Sequence, residues 1–227
     1  QRVEPWGDNF RIFPVDGYGT HEIIRSVLQK ERPDALWFMT DPRFYTWLWE
    51  IENEIRSNIP MIYYHVWDNF PPPHFNADFY NSNDVVACIS KVTHEIVRTV
   101  APDVESHYVP HAVNSAYFHP AKTDEDKQSI IELRNRVTQN KPKKKIFFWN
   151  NRNARRKQSG TLIWWFKEWL DKVGHEKAML LMHTDPRDPH GQDLPHLIQT
   201  LGLNQGQVLI SDKKISSEQL GNLYRMA

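Results

Sequence analysis

Short β-branched or aromatic runs alternate with helix-like stretches along almost the whole chain, and no other feature of the sequence restricts the fold as much. Strands separated by helices pair most readily in parallel, and a parallel sheet needs helices over its faces. The first half reads as an extended run at 10–15, a helix over 20–31 opened by Thr20 as N-cap, an apolar run at 35–39 and a helical segment over 43–57. Strands come next at 60–67 and 84–90, then a helix over 92–100 and a short strand at 106–109 that runs into proline-punctuated chain up to Pro120. Ile23, Ile24, Val27 and Leu28 share one face of the first helix, as expected of a helix resting on a core.

A polar stretch at 121–126 precedes a helix over 125–139, where Ile130, Leu133 and Val137 keep helical spacing. The alternation then repeats: strand 145–149, helix 160–173, strand 178–183, helix 193–201, strand 208–211 and helix 217–226. The pattern predicts two Rossmann-like α/β domains with doubly wound parallel sheets, 1–121 and 122–227, facing a cleft. Ligands of such sheets sit outside the carboxyl ends of the strands, so the loops there are the place to look for chemistry. Leu162, Phe166, Trp169, Leu170 and Val173 line one side of the 160–173 helix and read as core.

The 227 residues give room for two compact domains. With 28 basic and 28 acidic side chains the formal net charge is zero, which argues against a wholly basic nucleic-acid coat and against a self-repelling disordered chain. Cys88 is the sole cysteine, so neither an intrachain disulfide nor a cysteine zinc cage can form, and a reducing, cytoplasmic location is expected. The densest apolar stretch, 61–67, is strand-sized, and no membrane span is expected. Residues 1–10 lack the basic segment and apolar run of a secretory signal.

The strongest local signal is the run 147–157, Phe-Phe-Trp-Asn-Asn-Arg-Asn-Ala-Arg-Arg-Lys, a buried-type strand that enters a loop with four cations and no acid. Ser159 then reads as a helix cap. Guanidinium forks, a compact ammonium and the unpaired N–H groups of a helix start all suit a diphosphate-sized anion. Cations ahead of a helix N-terminus oppose its dipole unless an anion lies between them, so the arrangement points to function. A second constellation, Tyr63-Tyr64-His65-Val66-Trp67-Asp68-Asn69, ends an apolar strand in a histidine, an aromatic, a carboxylate and an amide, and Pro71 to Pro73 stiffen the loop beyond it. His65 there reads either as a site residue or as a hydrogen-bonded core histidine. The third, Tyr108-Val109-Pro110-His111-Ala112-Val113-Asn114, is another strand end that turns sharply, expected at the same rim, and Pro110 rules out a zinc-binding helix through His107 and His111. Asp124-Glu125-Asp126 has the Asp-x-Asp form of metal-dependent sugar transferases but lies at a helix start, where acids suit the dipole, so no metal site is expected. The chain has no Gly-x-Gly-x-x-Gly, no P-loop and no Gly-x-Ser-x-Gly elbow.

Taken in this order, the motifs resemble the retaining glycosyltransferases of the family-4 type, which have the GT-B fold. Tyr63-Tyr64-His65 is similar to the family's histidine-ended strand, and Val86-Ala87-Cys88-Ile89-Ser90 to its serine-ended one. Val109-Pro110-His111-Ala112-Val113-Asn114 with Phe118-His119-Pro120 resembles the family's interdomain approach, Val-Pro-x-Gly-Val-Asp…Phe-x-Pro. Asn151-Arg152 and Lys157-Gln158 resemble Gly-Arg-x-x-x-x-Lys-Gly, and 207–211 with 217–224 resembles the strand and helix near the nucleotide base. Family glycines are replaced at Ala112, Asn151 and Gln158, which leaves less room for a phosphate against the backbone. Against the family pattern the chain starts after the first strand and its glycine-rich loop and stops ahead of the Glu-x7-Glu motif, so a part of a longer enzyme, inactive alone, is expected.

The resemblance implies metal-independent transfer of a sugar from a nucleoside-diphosphate sugar to an acceptor hydroxyl, with retention and with no cofactor beyond that substrate. Arg152 and Lys157 would hold the donor diphosphate, and His65 would act at the reacting centre. Ser90, His111 and Asn151 are candidate donor or cleft positions, and Trp67 and Asp68 candidates for the acceptor side. Two alternatives stay open: a nucleic-acid-binding module using the basic stretch 141–157, against which the neutral net charge weighs, and a GT-B-like epimerase or phosphorylase. The acceptor and the oligomeric state are not legible.

Overall fold

The computed structural model describes residues 10–227. The reading of residues 1–10 as free of a secretory signal therefore lies, but for Phe10, outside the described residues. Contacts divide the chain into two units between Ala112 and Val113.

In the first unit, helix α1 (His21–Glu31) opens on Thr20, whose Oγ1 accepts the Ile23 N–H, and closes on Arg32 in a left-handed conformation. Four parallel strands come after it: β1 (Leu36–Met39), β2 (Met61–His65), β3 (Val85–Cys88) and β4 (Glu105–Tyr108), in the spatial order β1-β2-β3-β4. The register sets Phe38 beside Tyr63 and Tyr63 beside Val86. Period-2 alternation therefore turns Phe38, Met61, Tyr63, Val86 and Cys88 to one face, where they form one core with Leu48, Trp49, Ile55, Ile96 and Val97. On the other face of β1, Trp37 and Met39 are exposed.

The expected 43–57 helix is three pieces: a 3-10 turn (Pro42–Phe44), α2 (Thr46–Trp49) and α3 (Glu52–Arg56). Tyr45 and Ile51 break it, with φ of −121° and −115° and ψ near zero, outside the α region. A short helix, α4 (Ala77–Asn81), forms where no periodicity announced one. Helix α5 (Lys91–Val100) starts at Ser90, whose Oγ accepts the Thr93 N–H at 3.0 Å. The extended run expected at 10–15 is only an isolated bridge at Ile12.

The second unit begins with residues 113–120 lying on its last helix. The Arg225 guanidinium donates to the Tyr117 and His119 carbonyls at 2.8 and 3.2 Å, and a Cβ on Gly221 would come within 2.3 Å of the Tyr117 oxygen. These contacts move the division ahead of residue 121. Helix α6 (Asp124–Val137) has a capping box in which Asp126 accepts the N–H groups of Lys122 and Thr123, so the Asp-x-Asp motif serves the helix start. Strands β5 (Lys145–Asn150), β6 (Ala178–His183) and β7 (Val208–Ser211) form a parallel sheet in chain order.

Helices α7 (Ser159–Val173) and α8 (Leu194–Thr200) supply Ile163, Phe166, Leu170 and Leu194 to one face of that sheet, against Leu180 and Met182. Helix α6 and α9 (Ser217–Met226) cover the other face, where Ile146, Met179, Leu181 and Met226 meet Ile130, Leu133 and Leu223. Central β6 is buried from Ala178 to Met182, as a strand covered on both sides must be. Trp169 and Val173, expected in the core, are exposed at the rim of α7. Among the described residues, no helix is long and apolar enough to cross a membrane.

Candidate functional site

At the carboxyl end of the first sheet, His65 continues the buried parity of Met61 and Tyr63 and is 0% exposed. Tyr63 Oη donates to the Thr40 carbonyl at 2.5 Å, so it receives the His65 Nδ1–H at 3.0 Å, and Nε2 accepts from Tyr80 Oη at 2.8 Å. Asn76 Nδ2 donates in turn to Tyr80 Oη. The imidazole is thus neutral with its proton on Nδ1, and burial holds its pKa down to about 3. Both ring nitrogens are taken by tyrosine hydroxyls inside the unit, so His65 has the contacts of a hydrogen-bonded core histidine, one of the two readings its sequence position allows.

The other candidates of this unit are spread over the same sheet end. The Trp67 ring stacks over His65 at 6.5 Å, and its carbonyl accepts Thr93 Oγ1 at 2.8 Å, which ties the β2 loop to the start of α5. Ser90 is that helix's cap, bonded to Thr93, so its hydroxyl has a structural duty. The Asp68 side chain is exposed. His111 stacks on Tyr64 at 5.4 Å with Nδ1 3.2 Å from the tyrosine hydroxyl. Tyr64 points to the opposite sheet face from His65, so the two histidines share an end of the sheet but not a face.

In the second unit the loop after β5 is built on Asn153, a buried residue that sequence reasoning passed over. Its Nδ2 donates to the Gln192 carbonyl at 2.7 Å and its Oδ1 accepts Ser159 Oγ at 2.5 Å. The Arg155 N–H donates to the His190 carbonyl at 3.1 Å, so the β5 loop and the β6–α8 loop are bolted together. Gly191 permits that approach, since a Cβ there would stand 1.8 Å from the Asn153 carbonyl oxygen. Ser159 is the first residue of α7 rather than its cap. Gln158, left-handed at φ 56°, precedes it, and Gln192 Oε1 reaches across to take the Gly160 N–H at 2.7 Å. That amide, expected to meet a phosphate, is satisfied from within the chain.

A pocket of about 260 Å³ opens over the carboxyl ends of all three strands. Asn151 and Arg152 line it from the β5 loop, His183 to Asp185 from the end of β6, and Ser211 to Lys214 from the end of β7. His183 Nδ1 lies 3.0 Å from Ser211 Oγ. Three cations, Arg152, Lys213 and Lys214, outnumber the two carboxylates Asp185 and Asp212 in its wall. The Thr184 hydroxyl is buried and has no hydrogen-bond partner among the described residues. The basic loop is not free of acids in space: Arg152 Nε donates to Asp188 Oδ2 at 2.6 Å and Nη2 to Oδ1 at 3.1 Å. This guanidinium, followed by the His190 N–H, holds the Asp188 carboxyl down to about 2.

Lys157 sits on the 3-10 turn Arg155–Lys157, half-buried, outside the pocket wall and in no ion pair among the described residues. Strand β5 begins at Lys145 and runs to Asn150, so Lys141 to Lys145 and Arg152 to Lys157 lie at its opposite ends, about 20 Å apart. Lys144 is buried on the Gly206 carbonyl. The stretch 141–157 is therefore not one basic face.

No protein-family model matches the chain, and no curated protein matches it. Solved structures match its fold. An alpha,alpha-trehalose 6-phosphate synthase from Burkholderia multivorans aligns with 91% of this chain and 52% of its own, at TM-score 0.61 and 14% identity. An E. coli structure described as trehalose-6-phosphate bound with UDP-2-fluoro glucose aligns with 90% of this chain and 54% of its own, at TM-score 0.60 and 11% identity. The N-terminal domain of a Candida albicans trehalose-6-phosphate phosphatase gives 94%, 56%, 0.61 and 14%. The chain spans about half the length of the solved chains it matches. These neighbours are named as trehalose-phosphate enzymes, so they do not support the family-4 assignment. At such low identity, the likeness establishes the fold: Rossmann-like parallel α/β sheets of the GT-B type.

Proposed function

We propose that the protein is a glycosyltransferase that takes its sugar from a nucleoside-diphosphate donor bound in the second unit. The observation that carries this reading is the pocket over the carboxyl ends of β5, β6 and β7, where ligands of parallel sheets bind, with Arg152, Lys213 and Lys214 in its wall. A neighbour of this fold is bound with UDP-2-fluoro glucose, which supports the same ligand class here. Arg152 would meet the diphosphate, and Lys157 would add a second charge from the turn that leads into α7. As the bond between the anomeric carbon and the phosphate oxygen breaks, charge collects on the leaving diphosphate, and fixed cations lower the barrier by stabilising it. Retention of configuration and an acceptor hydroxyl recognised near Trp67 and Asp68 belong to the same proposal.

The test is calorimetric titration of this chain with UDP. The native chain is expected to bind, and Arg152→Ala with Lys157→Ala to weaken binding by at least about tenfold, the scale of one lost charge-assisted hydrogen bond. Equal affinity in native and doubly substituted chains would remove the basis of the assignment.

A further inference from the structure

We infer that Asp188 is a positioning residue for the donor site, an inference that rests on the reading of Arg152 as the diphosphate ligand. Arg152 stands at the end of a flexible stem with its side chain 60% exposed, so an isolated guanidinium there would sample many orientations. Asp188 is the opposite, a side chain 9% exposed whose Oδ1 also accepts the His190 N–H at 2.9 Å. Its carbonyl takes the Gly191 N–H at 2.8 Å, and the surrounding loop is joined to the Arg152 loop through Asn153, Gln192 and His190. The carboxylate is a fixed post, and the guanidinium is the part that docks onto it.

Which donors the docking uses decides the consequence. Asp188 takes the Nε–H and one Nη2–H, two of the five N–H groups of the fork. Three remain, both on Nη1 and one on Nη2, and the Nη2–H with the Nη1–H beside it forms the end-on edge that can still meet a phosphate with two parallel bonds. Asp188 therefore sets the guanidinium in one orientation before any ligand arrives, so that ordering need not be supplied by binding. Repulsion between the carboxylate and an incoming phosphate acts across the width of the guanidinium, which is charged and lies between them.

The experiment is a double-mutant cycle read by titration of the full chain with UDP and with inorganic pyrophosphate at fixed ionic strength. Asp188→Asn is expected to weaken both ligands five- to tenfold, Asp188→Glu to restore part of the loss, and Asp188→Asn to add nothing in an Arg152→Ala background. Tighter binding by Asp188→Asn would mean that the carboxylate competes with the ligand, and an equal loss with or without Arg152 would mean a merely structural role. Either overturns the inference. Unchanged affinity in Arg152→Ala alone overturns the donor-site reading and takes Asp188 with it. A loss in Arg152→Ala with none in Asp188→Asn overturns the role of Asp188 only. Should Asp188→Asn fail to fold, the Arg152 Nε–H resonance of the native chain decides: it is expected to stay protected from solvent exchange when UDP binds, and its exposure on binding would refute the arrangement.

Discussion

Acid should destabilise the first unit through one residue, and the size of the effect is set by the burial of His65. An ordinary histidine titrates at 6.5, whereas His65 in the folded chain is held near 3 by desolvation. Between those values the unfolded chain binds a proton that the folded chain refuses. Stability contributed by this residue is therefore complete above pH 6.5 and is lost as the pH falls through 6.5 toward 3. For a single site of this kind the loss from pH 8 to pH 5 is about 2 kcal/mol, and by pH 4 about 3 kcal/mol. The assay is urea unfolding of the native chain and of His65→Gln from pH 8 to pH 4. The variant removes the titrating group, so the stability gap between the two chains should change by about 2 kcal/mol between pH 8 and 5. Nitrogen-15 spectra of the native imidazole give an independent reading, with protonated Nδ1, bare Nε2 and no titration down to pH 4. A gap that stays constant with pH, or an imidazole that titrates near 6, would refute the burial argument.

Three further outcomes rest on particular contacts. Cys88 is fully buried and its thiol is pushed up to about 12, so it should resist thiol reagents in the native chain and react stoichiometrically in denaturant; rapid native labelling would contradict the packing. Thr184→Val removes a buried hydroxyl that has no partner among the described residues and should raise the stability of the second unit by about 1 kcal/mol; loss of stability would show that the hydroxyl is satisfied in solution. Gly191→Ala would drive a methyl into the Asn153 carbonyl and should cost about 1–3 kcal/mol in thermal unfolding, with UDP affinity falling as the two loops part; an unchanged melting temperature would deny the close approach.

Much of the scaffold is written in local pattern. The runs at 178–183 and 208–211 and the helix at 217–226 appear as read, because continuous apolar residues or a Ser-x-x-Gln cap specify them without help from distant chain. The 43–57 segment shows the limit: its apolar spacing suits a helix, but packing of Tyr45 and Trp49 against Phe38 and Tyr63 overrides that spacing. His65 is half legible, since its parity with Met61 and Tyr63 marks the inward face, while Tyr80 as its partner is set only by the fold. The candidate site is less legible still. Arg152 can be chosen from its loop, but its partner Asp188 lies 36 residues on, and the contacts of Asn153 and Gln192 that fasten the loops have no sequence signature.

In both sheets the spatial order of strands repeats their order along the chain. Among the described residues every ladder of the two sheets therefore joins a strand to the one synthesised just before it. A nascent chain leaving the ribosome can add each strand to an edge already in place, so assembly can keep pace with translation from the amino end onward. Once Cys88 has cleared the ribosome, the residues of β1, β2 and β3 are all available to pair in their final registers.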